Sequence, residues 1–216
     1  IRAKVMLNES YKGVQSFILK DSKGKVIPMN VLRSSIEYYP EINTWKYLPT
    51  LEIEFTADVP GLGYAVYYIS ADIEKDFQQI VKTGKSSLEN EFYKISVAKN
   101  GSLSITDKTT ELKYKDFNLF EDTEDDGDEY NYSFVEQSQT FTTKDSTAEI
   151  TVFEKSELSG TLKIEINLKL PECLHESRTK RSKKMVNNKI TSFVTLSAGS
   201  KRIDIKTEFD NNSKDH

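Results

Sequence analysis

Leu162-Lys-Ile-Glu-Ile-Asn-Leu-Lys-Leu170 alternates strictly between apolar and polar residues. Successive side chains of a strand point to opposite faces, so a period of two buries one row of aliphatics and turns the other row to water. A helix would scatter the same apolar residues around its circumference. The pattern recurs on both sides of this stretch. Ile203-Asp-Ile-Lys-Thr-Glu-Phe209, Leu51-Glu-Ile-Glu-Phe55 and Tyr93-Lys-Ile-Ser-Val97 alternate in the same way, and Thr195-Leu-Ser197 is the tail of a further run that begins near Ile190. Turn signals separate these runs. Asp21-Ser-Lys-Gly24 and Lys99-Asn-Gly101 read as hairpin turns, because glycine at the tip accepts positive φ. Ser159-Gly160 and Ala198-Gly199 are weaker marks of the same kind. Many short strands between turns make an all-β, mostly antiparallel architecture.

Helical signal is confined to Asp72-Ile-Glu-Lys-Asp-Phe-Gln-Gln-Ile-Val81, beside Lys82-Thr-Gly-Lys-Ser-Ser87, which reads as a flexible connection. The expected organisation is a small β-sandwich of about six strands over residues 1–70, a linker over 71–87, and the first part of a larger β domain over 88–216. The chain starts at Ile1 rather than Met and stops in polar sequence, Asn211-Asn-Ser-Lys-Asp-His216, so both ends read as cuts from a longer protein.

Composition narrows the function. A hydrophobic content of 37% supports a packed core and argues against disorder. The net charge of −4 gives no basic excess for nucleic acid. No apolar run approaches the roughly 20 residues of a membrane helix. A single cysteine, Cys173, makes no internal disulfide and suits a reducing, cytoplasmic setting. With two histidines, His175 and His216, the chain is poor in general bases for a nucleophilic triad. Cys173 and His175 are two ligands at most, too few for a zinc site. Pro60-Gly-Leu-Gly63 is followed by the apolar run Tyr64-Ala-Val-Tyr-Tyr-Ile69, so it reads as a turn into a buried strand, not a phosphate-cradling loop.

Two charged stretches stand out. In Phe120-Glu-Asp-Thr-Glu-Asp-Asp-Gly-Asp-Glu-Tyr130, the carboxylates of Glu121, Asp122, Glu124, Asp125, Asp126, Asp128 and Glu129 crowd together. A solvated loop is one reading. A calcium loop is a second, since Asp122, Glu124, Asp126 and Gly127 follow the start of an EF-hand frame; Ser133 in place of the final Glu and the lack of flanking helices argue against it. A sugar surface is the third, because carboxylates accept from hydroxyls while the rings of Tyr130 and Tyr132 pack on C–H faces. The basic stretch Arg178-Thr-Lys-Arg-Ser-Lys-Lys184 lies between two alternating strands without interleaved aromatics, and reads as an exposed hairpin loop.

Phe120-Glu-Asp122 followed by Asp126-Gly-Asp-Glu-Tyr-Asn-Tyr-Ser133 resembles a signature of glycoside hydrolase family 38, the α-mannosidases, in the bacterial branch that includes mannosylglycerate hydrolases. In the same order as in that family, Val59-Pro-Gly-Leu-Gly-Tyr64 is similar to its strand entering the central region, Leu88-Glu-Asn-Glu-Phe92 with Asn100-Gly-Ser-Leu-Ser-Ile-Thr-Asp-Lys108 to the opening of its large β domain, and Lys201 to His216 to a later strand pair of that domain. The resemblance covers residues 59–216. It implies a small β-sandwich followed by part of a large mutarotase-like super-sandwich. It also implies a separate N-terminal α/β catalytic domain in which a carboxylate nucleophile and a zinc ion carry out retaining hydrolysis of α-mannosides. The motifs of that domain are missing here. The expectation is therefore a non-catalytic β-domain fragment that scaffolds and partly lines the active site, binds no zinc itself and is inactive alone. Its expected partners are the catalytic domain and, through the parent enzyme, an α-mannoside, with neither nucleic acid nor membrane. By the resemblance, Tyr130 maps onto a tyrosine that contacts substrate, with Asp128 and Glu129 flanking it. The family's usual Tyr-Ser-Pro-Pro continuation is replaced by Ser133-Phe-Val135. The alternative is a free-standing carbohydrate-binding or structural β module.

Overall fold

The computed structural model describes residues 1–40, 46–72, 80–128 and 130–215. Among these residues nearly all regular structure is β, with one short 3-10 turn at Glu9–Tyr11. The helical candidate at 72–81 falls almost wholly on 73–79, outside the described residues. Contacts divide the chain into two units, Ile1–Ile80 with Ser156–Leu158, and Val81–Lys155 with Ser159–His216.

The first unit holds β1 (Arg2–Met6), β2 (Phe17–Asp21), β3 (Val26–Ile27), β4 (Met29–Tyr38), β5 (Tyr47–Phe55) and β6 (Tyr67–Ala71). They form two three-stranded antiparallel sheets, β1-β5-β4 and β3-β2-β6. Leu7, Phe17, Leu19, Met29, Leu51, Ile53 and Phe55 make their common core. The β2–β3 turn follows the sequence reading. Gly24 has φ +79°, and Asp21 Oδ1 accepts from the N–H groups of Lys23 and Lys25, both at 2.9 Å. The run after Pro60-Gly-Leu-Gly63 does not. The strand begins only at Tyr67, and Tyr64, Val66 and Tyr68 are exposed. An apolar run of this length carries no information about which of its faces the fold covers.

The second unit contains β7 (Lys82–Thr83), β8 (Ser87–Glu89), β9 (Tyr93–Val97), β10 (Leu103–Asp107), β11 (Lys113–Phe117), β12 (Glu121–Asp122), β13 (Phe141–Thr142), β14 (Ala148–Lys155), β15 (Ser159–Pro171), β16 (Met185–Ser197) and β17 (Ile203–Asp210). Residues 82–87, expected to be a flexible connection, close a small hairpin in which Lys82 pairs with Glu89 and Thr83 with Leu88. One sheet runs β11-β10-β9-β8-β7 and another β14-β15-β16-β17.

The alternation of Leu162–Leu170 is realised in full. Leu162, Ile164, Ile166, Leu168 and Leu170 face Leu88, Ile95, Leu103 and Ile105 in one continuous core. Burying each such aliphatic is worth about 1.5–3 kcal/mol as an upper range. The opposite row meets water, where Glu165 pairs with Lys163 at 2.9 Å and with Lys189 at 2.5 Å. Register across β15 and β16 sets Leu162 opposite Val194 and Ile166 opposite Ile190.

Two glycines let the sheets approach. At Gly101, with φ +86°, a Cβ would lie 2.8 Å from Ile166 Cδ1 and 3.0 Å from Ile164 Cγ2. Ser159-Gly160 is not a turn, as its sequence suggested, but the start of β15. Glycine is needed there because a Cβ would come within 2.1 Å of Thr83 Oγ1. The turn itself lies at Ser156–Leu158.

The end of β17 is tied back to the sheet. Asn188, fully buried, donates to Ser213 Oγ at 3.0 Å and accepts from Asn212 N–H at 2.7 Å. This carries the following residues to the acidic segment, where the Asp125 N–H donates to Asp215 O at 3.0 Å.

Candidate functional site

The acidic stretch begins as a short strand and ends as a shaped loop. β12 pairs with β13, and Phe120 and Thr143 exchange two hydrogen bonds of 3.0 Å at its entrance. Beyond Asp122 the chain folds around its own aspartates. Asp125 Oδ1 accepts from Gly127 N–H and Ser133 N–H, both at 2.8 Å, while Asp126 N–H donates to Ser133 O at 2.8 Å. Asp128 Oδ1 accepts from Tyr130 N–H at 2.9 Å and Asn131 N–H at 2.8 Å. Short acidic side chains favour such local bonds to backbone, which explains why aspartates predominate at these turns. The Tyr130 and Asn131 N–H groups hold the Asp128 carboxyl below its ordinary value.

Of the residues expected at a site, Asp128 and Tyr130 share this turn. Tyr130 is 84% exposed, with its ring in solvent. Glu129 lies outside the described residues. The concavity lies beside them. A cleft of about 580 Å³ is lined by Leu168, Leu170, Ile190 and Phe209 from the β15–β17 sheet and by Phe120, Asp122, Asp125 and Tyr132 from the acidic segment. Apolar sheet facing carboxylates and a phenol is a surface of mixed character, suited to a ligand with both hydroxyls and C–H faces. Tyr132, rather than Tyr130, lines it.

The basic stretch is part of the same construction, which sequence reasoning missed. Residues 172–184 join β15 to β16, as a hairpin loop should, but the loop turns back onto the acidic segment. Arg178 pairs with Asp126, and Arg181 Nη1 lies 2.5 Å from Asp122 Oδ2. Gln137 N–H donates to Thr179 O at 2.9 Å. Arg181 is not an exposed loop residue. Its side chain is fully buried, with the guanidinium carbon 5.2 Å from the centre of the Phe141 ring. Glu124 is also fully buried. Burial pushes its carboxyl up, but hydrogen bonds from Ser138 and the Gln139 N–H, with the Arg181 charge, bring it below its ordinary value. The available signal was the opposite sign of two dense charge runs.

His175 is exposed, with Nδ1 3.0 Å from Ser177 Oγ, and Cys173 is a free thiol in the same loop. Among the described residues, no group of three or more His, Cys, Asp or Glu side chains is placed to hold a metal ion. Among them, too, no helix is long and apolar enough to cross a membrane.

Residues 88–215 match the model of the glycosyl hydrolases family 38 C-terminal domain. The chain belongs to glycosyl hydrolase family 38. The match begins at β8 and takes in the core, the cleft and both charged stretches. A putative mannosylglycerate hydrolase of Halalkalibacterium halodurans is 30% identical to this family 38 chain in an alignment of 189 residues that covers 79% of the chain. The chain spans only 21% of that relative's length. Two solved structures share the fold along the whole chain. One is a glycosyl hydrolase family 38 protein from Enterococcus faecalis, with TM-score 0.78 and 21% identity, of which the chain covers 30%. The other is an α-mannosidase from Enterococcus faecalis V583, with TM-score 0.75 and 22% identity, of which the chain covers 28%. The antiparallel β architecture expected from the alternating strands is therefore that of family 38 β domains.

Proposed function

We propose that the chain is the β region of an α-mannosidase-type glycoside hydrolase, and that the segment from Phe120 to Ser133 forms one rim of its sugar site. The catalytic carboxylates and the zinc that the resemblance implies would lie in the separate N-terminal catalytic domain of the complete protein. The observation that carries this reading is the pairing of a mixed apolar and acidic cleft with a loop whose backbone is bonded to Asp125 and Asp128. Oδ1 of each aspartate is committed to backbone, so a sugar hydroxyl would be met by Oδ2. Tyr130 would extend its phenol from the rim to a sugar oxygen, with Asp128 and Glu129 flanking it.

On this reading the chain alone is inactive and acts through the catalytic domain of its own protein. We place that protein in the bacterial cytoplasm, a setting consistent with the free thiol of Cys173. We also propose that the join between two separately cored β units falls within residues 71–87, in keeping with the contact division at Ile80.

The test is Tyr130→Phe in the complete protein, assayed on a nitrophenyl α-mannoside. Loss of one hydrogen bond made in the transition state is expected to lower kcat/KM by about tenfold. An exposed phenol contributes little to stability, so the unfolding free energy should stay within about 0.5 kcal/mol of the parent. Unchanged kinetics would return the segment to a water-facing loop.

A further inference from the structure

Arg181 is a costly residue where it stands. Its guanidinium is removed from water, and five N–H donors need partners. Asp122 takes Nη1, but Nε and Nη2 are buried without a hydrogen-bond partner. Oε1 of the buried Glu124 is likewise unpartnered, while its Oε2 accepts from the Gln139 N–H at 3.1 Å. Buried polar groups in native proteins are nearly always satisfied. Glu124 feels the Arg181 charge, so the two buried groups are electrostatic neighbours.

We propose that Arg181 is the positioning residue of the acidic rim, clamping β12 through Asp122 beside the buried Glu124, so that the loop after Asp122 keeps a single shape. This rests on the reading that the Phe120–Ser133 segment lines the sugar site. The elements involved converge on Arg181. Asp122 belongs to β12 and to the cleft wall, Phe141 to β13, and Glu124 opens the loop that bears Tyr130 and Tyr132. Arg178 adds an outer tie to Asp126.

Packing alone does not call for an ion pair at this place. An apolar side chain of similar volume fills a buried position at no loss of stability in many proteins, whereas a guanidinium fixes direction as well as distance. Arg181 is thus suited to specifying the geometry of a loop whose other bonds are local.

The test is made on the complete protein with Arg181→Met, Asp122→Asn and Glu124→Gln. Hydrogen exchange is followed in peptides covering 120–133 and 162–170, alongside kcat and KM on a nitrophenyl α-mannoside. Arg181→Met and Asp122→Asn should speed exchange in 120–133 by at least about tenfold and leave 162–170 unchanged, because the loop opens locally while the core strand does not. Glu124→Gln should give a smaller change in the same peptide. In Arg181→Gly, added methylguanidinium should restore slow exchange while its uncharged isostere N-methylurea does not, which separates the charge from packing. Asp122→Asn keeps the test decisive if Arg181→Met does not fold. Faster exchange in 120–133 with unaltered kcat/KM supports the clamp and counts against the sugar-rim reading. Unaltered exchange in 120–133, or no recovery with methylguanidinium, overturns the clamp.

Discussion

Replacing Ile164 with alanine is expected to destabilise the second unit by about 4 kcal/mol, within the range for large-to-small changes at fully buried sites. Ile164 has no exposed surface and sits in the middle of β15. It stands opposite Ile150 in the β14–β15 register, and its Cγ2 is 3.0 Å from where a Cβ on Gly101 would lie. β15 is paired on both sides, to β14 and β16, so the backbone has little freedom to collapse into the space left behind. Denaturant unfolding, monitored on the transition of this unit, should show a lowered midpoint with an unchanged slope. Lys163→Ala, one residue away on the watered face, is the control. Its ion pair with Glu165 is a surface pair, and its loss should cost below about 1 kcal/mol. Equal effects at the two positions would mean that the alternation does not divide buried from exposed as described.

Gly127→Ala is expected to have the largest effect on activity. A Cβ at this position would lie 1.7 Å from Asn131 O and 2.9 Å from Asp125 Oδ1. The first clash is with backbone and cannot be relieved by a side-chain rotation. The loop must therefore open, losing the bonds from the Gly127 and Ser133 N–H groups to Asp125 and displacing Tyr130 and Tyr132. On the proposed reading these tyrosines border the sugar site, and a displacement of about 1 Å in groups that position substrate can cost about a hundredfold in rate, so kcat/KM of the complete protein on a nitrophenyl α-mannoside should fall by about that factor. The stability cost should stay at about 1–3 kcal/mol, because the disturbed residues are outside the core. Retained activity in a folded Gly127→Ala protein would separate the loop from the chemistry.

Strands with strict alternation were legible from the sequence, because period two reports directly which side chains share a face. Leu162–Leu170, Ile203–Phe209, Tyr93–Val97 and Leu51–Phe55 all fall within strands. β11 carries no such signal. Its residues Lys113–Phe117 are all exposed, and it pairs only at the edge of its sheet, so nothing selects one face over the other. β12 and β13 are two residues each and exist through pairing across a long loop, which local pattern does not encode.

The site was half legible for a related reason. Charge density drew attention to the acidic segment, and the aspartates do shape it through local bonds. Arg181 looked like one more member of a solvated basic run. Its burial depends on β15 and β16 carrying it back to Asp122, a long-range contact that composition does not reveal. Tyr132 entered only as a neighbour of Tyr130, yet it is the tyrosine that lines the cleft.

The most direct measurement is a structure of the complete protein bound to a non-hydrolysable α-mannoside. The account predicts that the Phe120–Ser133 segment borders the sugar, with the Tyr130 hydroxyl within hydrogen-bond distance, about 3 Å, of one of its oxygens. A sugar bound with this segment facing bulk solvent on another side of the molecule would contradict it.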